Sequence, residues 1–155
     1  MNSDYRIEHA KVEHFYQIMP RDYDAQVLFS SYKNADDLLR HYTQNSYAFT
    51  AFYRDDIITI AGLFYLGDRK AEAWMFTGAL LPKHLKFVMK SLKDHLKICQ
   101  KNLNLQRIQS VCVEGFEPAH RFIKKLGFVC ETPNGMEKFG SNGETYKMYA
   151  RTELW

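Results

Sequence analysis

The sequence predicts an α+β fold: a mixed, largely antiparallel central sheet flanked by helices. Three observations point there. From Tyr47 to Gly78 the chain is a train of β-branched and aromatic residues, interrupted only at Arg54-Asp55-Asp56 and Gly67-Asp68-Arg69-Lys70, which reads as three consecutive antiparallel strands. After Gly78 the apolar spacing changes from strand-like to helical. Aromatic residues reach 15%, a usage that favours a strand-rich core or an aromatic-lined groove over a purely helical bundle.

Each element has a local reason. Tyr5 to His9 reads as a short strand, and Val12 to Met19 as a short helix that Met19-Pro20 ends, since proline cannot continue the hydrogen-bond ladder. Ala35 to Tyr42 forms a second helix, with Asn34 as N-cap, Asp36 and Asp37 in the first turn, and Leu38, Leu39 and Tyr42 as its apolar face. The three strands cover Tyr47 to Tyr53, Ile57 to Leu66 and Ala71 to Thr77. A long helix follows, with Leu85, Val88, Met89, Leu92, Leu96 and Cys99 at three-and-four spacing and Pro82 in its first turn. Arg107 to Val113 alternates as a strand buried on at least one face, and Pro118 to Leu126 forms a helix closed by Gly127. Phe128 to Thr132 and Thr145 to Thr152 are the last strands, joined by the polar segment from Pro133 to Glu144. That order packs helices on the faces of one sheet, in a single domain over residues 1–155.

Composition narrows the function classes. A chain of 155 residues, 46% hydrophobic and 25% charged, has ordinary globular usage. Its net charge of +3 permits an anionic ligand or partner but is too small to argue for nucleic acid, which the lysine-rich helix, with no stacking aromatics interleaved, disfavours as a partner. Cys99, Cys112 and Cys130 are odd in number and lack CxxC spacing, so neither a disulfide framework nor a zinc site is expected, and a reducing, cytoplasmic setting fits. The N-terminal stretch lacks a signal-peptide layout, and no apolar run is long enough to span a membrane.

The segment AHRFIKKLGF, Ala119 to Phe128, together with the element order, resembles the GNAT superfamily of acyl-CoA-dependent N-acyltransferases. Ala119, Lys125, Leu126, Gly127 and Phe128 match the helix that follows the fifth strand in that family. A narrower resemblance is to degenerate acetyltransferase-like proteins of tailed bacteriophages. It rests on AWMFTG before a basic helix and on Gly143-Glu144-Thr145-Tyr146 leading into a return strand. There are departures. The family's usual asparagine and proton-donating tyrosine are replaced by Phe116 and Ile123, and its glycine-rich pyrophosphate loop by GALLPKHLKF, Gly78 to Phe87.

The resemblance implies acetyl-CoA as cofactor and a small-molecule or protein amine as acceptor. By position, Met75, Phe76 and Thr77 offer the pantetheine-binding edge, with a core strand as the other reading. Lys83, His84 and Lys86 stand where charged side chains can replace the missing loop amides. Those lysines also belong to a series with Lys90, Lys93, Lys97 and Lys101 that reads equally as a solvated helix face. Glu72 is the candidate general base, its carboxylate flanked by apolar neighbours, and an exposed strand residue is the alternative. Tyr149, with Tyr146, is the candidate for the absent acid, against a core aromatic. Cys112 reads as a small buried hydrophobe and His120 as a solvent-facing histidine.

Two readings follow. One is an acetyl-CoA-dependent N-acetyltransferase acting by direct transfer to an amine. The other is a catalytically inactive protein of the same fold, a phage virion, head-assembly or host-interaction component with a protein partner, found in the host cytoplasm if phage-encoded. An unrelated α+β binding domain is the third and broadest possibility.

Overall fold

The structure is a computed structural model, and it describes residues 4–18, 35–44, 47–153 and 155. In chain order the elements are β1 (Tyr5–His9), α1 (Val12–Gln17), α2 (Ala35–Gln44), β2 (Tyr47–Tyr53), β3 (Asp56–Gly67) and β4 (Lys70–Thr77). A 3-10 helix (Leu81–His84), α3 (Leu85–Asn102), β5 (Arg107–Val113), α4 (Glu117–Lys125), β6 (Val129–Cys130) and β7 (Tyr146–Arg151) complete the chain. The expected Met19-Pro20 stop and the Asn34 cap lie outside the described residues, as do the side chains of Asp36, Asp37 and Leu38.

The seven strands form one mixed sheet in the order β1-β2-β3-β4-β5-β7-β6. Its ladders are antiparallel at β1/β2, β2/β3, β5/β7 and β6/β7 and parallel at β4/β5, where α3 provides the crossover that parallel neighbours need. Asp68 and Arg69 both take positive φ, 50° and 61°, in the turn from β3 to β4. Their backbone twist matches that of a two-residue hairpin.

Contacts divide the chain into two compact units, Met1–Phe64 with Trp74–Leu92, and Tyr65–Ala73 with Lys93–Trp155. In the first, β2 is buried over five consecutive residues and β3 over seven, which is why both read as continuous apolar runs and not as alternating ones. Phe15, Leu39, Phe52, Ile57 and Ile60 form its core. In the second, Leu105, Ile108, Tyr149 and Ala150 are buried. There Arg107 and Glu131 make a two-pronged ion pair, with bonds of 3.0 Å and 2.5 Å, and the arginine holds the Glu131 carboxyl below its usual range.

Two expectations needed correction. Pro82 does not open the long α-helix. It lies in the 3-10 turn, and α3 begins at Leu85. His120 does not face solvent. It is 4% exposed.

The glycine that closes α4 has a specific task. Gly127, at φ 90°, donates its N–H to Lys124 O at 2.9 Å, and Phe128 N–H reaches back to Ile123 O at 3.3 Å. These are the two bonds of a Schellman cap, and its usual apolar contact is available from Ile123 and Phe128, both buried.

Candidate functional site

In the first unit, the second half of β4 carries Met75, Phe76 and Thr77, all half-buried. Phe76 O accepts the Thr59 hydroxyl at 2.7 Å, and Gly78 N–H donates to Ile58 O at 3.0 Å, so β3 holds this end of the strand in place. The chain then turns tightly. Leu81 N–H bonds Gly78 O at 3.2 Å and Lys83 N–H bonds Leu80 O at 3.1 Å, while Pro82 has no N–H. Amides that a glycine loop would aim outward are therefore spent within the turn.

The three side chains expected to hold an anion there separate into two groups. Lys83 and Lys86 are exposed, and α3 has no acidic residue in its first turn, which leaves the local field favourable to negative charge. His84 is held elsewhere. Its Nδ1 lies 2.8 Å from the Tyr5 hydroxyl and its ring stacks on Tyr53 at 4.5 Å, tying this turn to β1 and β2. Along α3, Val88, Leu92, Leu96 and Cys99 are buried while Lys86, Lys90, Lys97 and Lys101 are exposed, the division expected of an amphipathic surface helix.

In the second unit, Glu72 lies opposite Gln109 in the parallel ladder and is half-buried. Loss of hydration pushes its carboxyl above the usual range. Neighbouring Ser110 donates its hydroxyl to Ala73 O at 2.9 Å, extending the contact between the strands by one residue.

Tyr149 is 1% exposed, and its oxygen lies 2.7 Å from His120 Nδ1. His120 Nε2 lies 2.8 Å from Val113 O. A carbonyl oxygen can only accept, so Nε2 carries the hydrogen, and in the neutral ring Nδ1 accepts from the phenol. Burial first, then the neighbouring Cys130 and Cys112, push the Tyr149 hydroxyl up to about 12. Cys112 is buried, and its thiol is pushed up to about 11, so it stays protonated as a small packing residue. Ile123 lies in the α4 cap and Phe116 caps the other end of that helix; neither carries a proton donor. Only the spacing of His120 relative to Ile123 and Leu126, three and six residues earlier, marks it as part of the buried stripe.

Among the described residues, no helix is long and apolar enough to cross a membrane.

No protein-family model and no curated protein matches the sequence. Solved structures do match. Ard1 from Thermoplasma volcanium aligns with a TM-score of 0.74 at 15% identity, over 98% of this chain and 99% of that one. yncA from Salmonella typhimurium, solved with its cofactor acetyl-CoA, gives 0.70 at 13% identity over 97% and 94%. A GNAT-family acetyltransferase from Bacillus anthracis gives 0.69 at 16% identity over 97% and 95%. At these identities the likeness is one of fold, and the chain has the fold of the GNAT acetyltransferases.

Proposed function

We propose that this protein is an N-acetyltransferase that moves an acetyl group from acetyl-CoA directly to an amine. The observation that carries the reading is the match of nearly the whole chain to a fold whose members include an acetyl-CoA-bound structure. When bound, acetyl-CoA supplies a thioester carbonyl activated for attack.

Side chains, not loop amides, are what this chain offers the phosphates. Lys83 and Lys86 would hold them, while the backbone of Met75, Phe76 and Thr77 would align the pantetheine arm. Glu72 takes the proton that the amine nitrogen loses as it forms the new bond to carbon and the carbon–sulfur bond breaks. Its hydration-starved carboxyl suits that task, because a base closer in pKa to the working pH transfers protons more effectively. Tyr149 is buried against His120 and takes no part in proton transfer in this scheme, which leaves solvent to protonate the thiolate.

A second reading is favoured by one observation: Leu81 and Lys83 have spent their N–H groups inside the turn and Pro82 has none. It is a protein of this fold that no longer binds the cofactor and serves as a contact surface, as the narrower phage resemblance implies. Calorimetric titration with acetyl-CoA separates the two. The enzyme reading expects a micromolar dissociation constant that weakens about tenfold or more in Lys83→Ala/Lys86→Ala, the loss of two charge-assisted contacts. No heat of binding at millimolar ligand would overturn it.

A further inference from the structure

In the second unit, the parallel ladder between β4 and β5 sets Lys70 opposite Arg107, Ala71 opposite Ile108 and Glu72 opposite Gln109. Because side chains alternate across a strand, Lys70, Glu72, Arg107 and Gln109 share one face of the sheet. On the other flank of β5, Gln109 stands opposite Ala150 of β7, which is buried and has no polar side chain. Gln109 therefore has an apolar neighbour on one side and the Glu72 carboxyl on the other. Both polar residues are half-buried.

The Gln109 amide is held in one orientation. Arg107 Nε donates to Gln109 Oε1 at 2.8 Å. A guanidinium N–H can only donate, so the amide atom it meets is the oxygen, and the NH2 group occupies the other branch. Arg107 is fixed in turn by its two-pronged bond to Glu131, next after β6. This series of contacts ends in two amide N–H donors whose neighbour across the ladder is a carboxyl group.

Three other charged or titratable groups adjoin the pair. Arg107 gives its fork to Glu131, Lys70 lies two residues before Glu72 on the same strand face, and on β3 the Tyr65 hydroxyl accepts the Arg69 N–H at 3.4 Å. Burial is what pushes the Glu72 carboxyl up, and among the described residues no neighbouring charge adds to it.

We propose that Gln109 is a positioning residue for Glu72: its amide, aligned by Arg107, donates a hydrogen bond to the Glu72 carboxylate when that group ionises. The proposal rests on Glu72 as the base of the reaction proposed above. Neighbouring strands lie about 4.8 Å apart, a gap that Glu and Gln side chains can bridge. An ionised carboxylate in a half-buried site needs a donor that a protonated one does not, and a hydrogen bond to the charged form offsets part of the hydration lost on burial. The amide thereby holds the carboxylate in one place, with its remaining lone pairs free for the proton of the amine.

The first test needs neither cofactor nor acceptor. Glutamate isotope-labelled at its side-chain carboxyl carbon is incorporated into the full chain, the Glu72 resonance is assigned by its loss in Glu72→Gln, and its titration is followed by NMR. In Gln109→Met, similar in length and without a donor, the Glu72 midpoint is expected to rise by about one pH unit, the effect of losing one hydrogen bond to a charged group. Arg107→Lys, which keeps a positive charge beside Glu131 but lets the amide turn over, is expected to raise it by a smaller amount, and it decides the question if Gln109→Met does not fold. Acetyl transfer gives the second readout. In Gln109→Met, kcat/KM should fall about tenfold at pH below the Glu72 midpoint and return close to the parent value above it, whereas a merely structural lesion lowers both alike. A Glu72 midpoint that is unmoved or lowered would overturn the proposal, as would a pH profile parallel to that of the parent. The two proposals fail separately: a raised midpoint in a protein that transfers no acetyl group removes the enzyme reading and leaves the link from Gln109 to Glu72, and transfer with an unmoved midpoint removes the link alone.

Discussion

Tyr149 and His120 meet at 2.7 Å in the interior of the second unit, and the far side of the imidazole is anchored 2.8 Å from Val113 O. Two polar contacts of one imidazole thereby link β7, α4 and the end of β5. Removing the hydroxyl alone strands a buried ring nitrogen, so Tyr149→Phe is expected to cost about 1–3 kcal/mol in urea denaturation. In the double variant Tyr149→Phe/His120→Leu no such acceptor remains. Its loss should fall clearly short of the sum of the two single variants, and strict additivity would count against the pair as a unit.

Glu72 should show function and stability opposed. Its folded pKa is raised by burial, so the carboxyl stabilises the fold most when protonated, and that contribution is lost as pH rises through the folded value. Glu72→Gln mimics the protonated state. At neutral pH it is expected to leave the urea midpoint unchanged or higher while lowering kcat/KM about 10²-fold or more. In the parent protein, kcat/KM should rise with pH through the Glu72 pKa. Retained activity in Glu72→Gln would remove it as the base.

His14 predicts an acid-sensitive first helix. Its Nδ1 receives the Lys11 N–H at 3.1 Å and lies 2.7 Å from the Thr50 hydroxyl, in a site 6% exposed. A backbone N–H can only donate, so protonating Nδ1 breaks the first bond and reverses the second. Burial lowers the His14 pKa; Glu8 and Glu13 oppose that shift, and Lys11 and Arg6 add to it. Because the folded value is depressed, the stabilisation is present above the unfolded pKa near 6.5 and is lost as pH falls through the folded one. Amide exchange in Val12–Gln17 should accelerate in that window, and His14→Phe should flatten the dependence.

Gly127→Ala is expected to destabilise by about 1–2 kcal/mol, because an L side chain at φ 90° strains the backbone. The nearest atom to the added Cβ is the end of the flexible Arg151 side chain, which can yield, so the cost is conformational. Urea denaturation checks this, with Lys125→Ala, two residues away and exposed, expected to stay within about 0.5 kcal/mol.

Much of the architecture was legible because it depends on short-range rules. β2 and β5 coincide with the runs Tyr47 to Tyr53 and Arg107 to Val113, where β-branched and aromatic residues end at polar or glycine-bearing turns. The α3 stripe was visible from its period, and the solvated lysines opposite it followed. Leu126-Gly127-Phe128 carried a conformational requirement that any reader of the chain can state, a left-handed residue closing a helix.

The site was legible only in part. Nothing in GALLPKHLKF announces that Leu81 and Lys83 turn their N–H groups inward, since the outcome depends on which carbonyls the turn brings near. His84 and His120 looked alike as polar residues near helix starts. Their roles were decided by partners 79 and 29 residues distant in sequence, Tyr5 and Tyr149. Glu72 and Gln109 are a similar case: they sit on two strands separated by the whole of α3, with no spacing that relates them.

By itself, then, the sequence determined the elements, their order and the class of sheet, because periodicity, turn chemistry and caps act over a few residues. Only the tertiary structure decided which amides are spent, which histidines are enclosed and which side chains stand opposite one another in the sheet. Those properties belong to pairs of residues that the chain brings together across long separations, and a linear pattern carries no record of them.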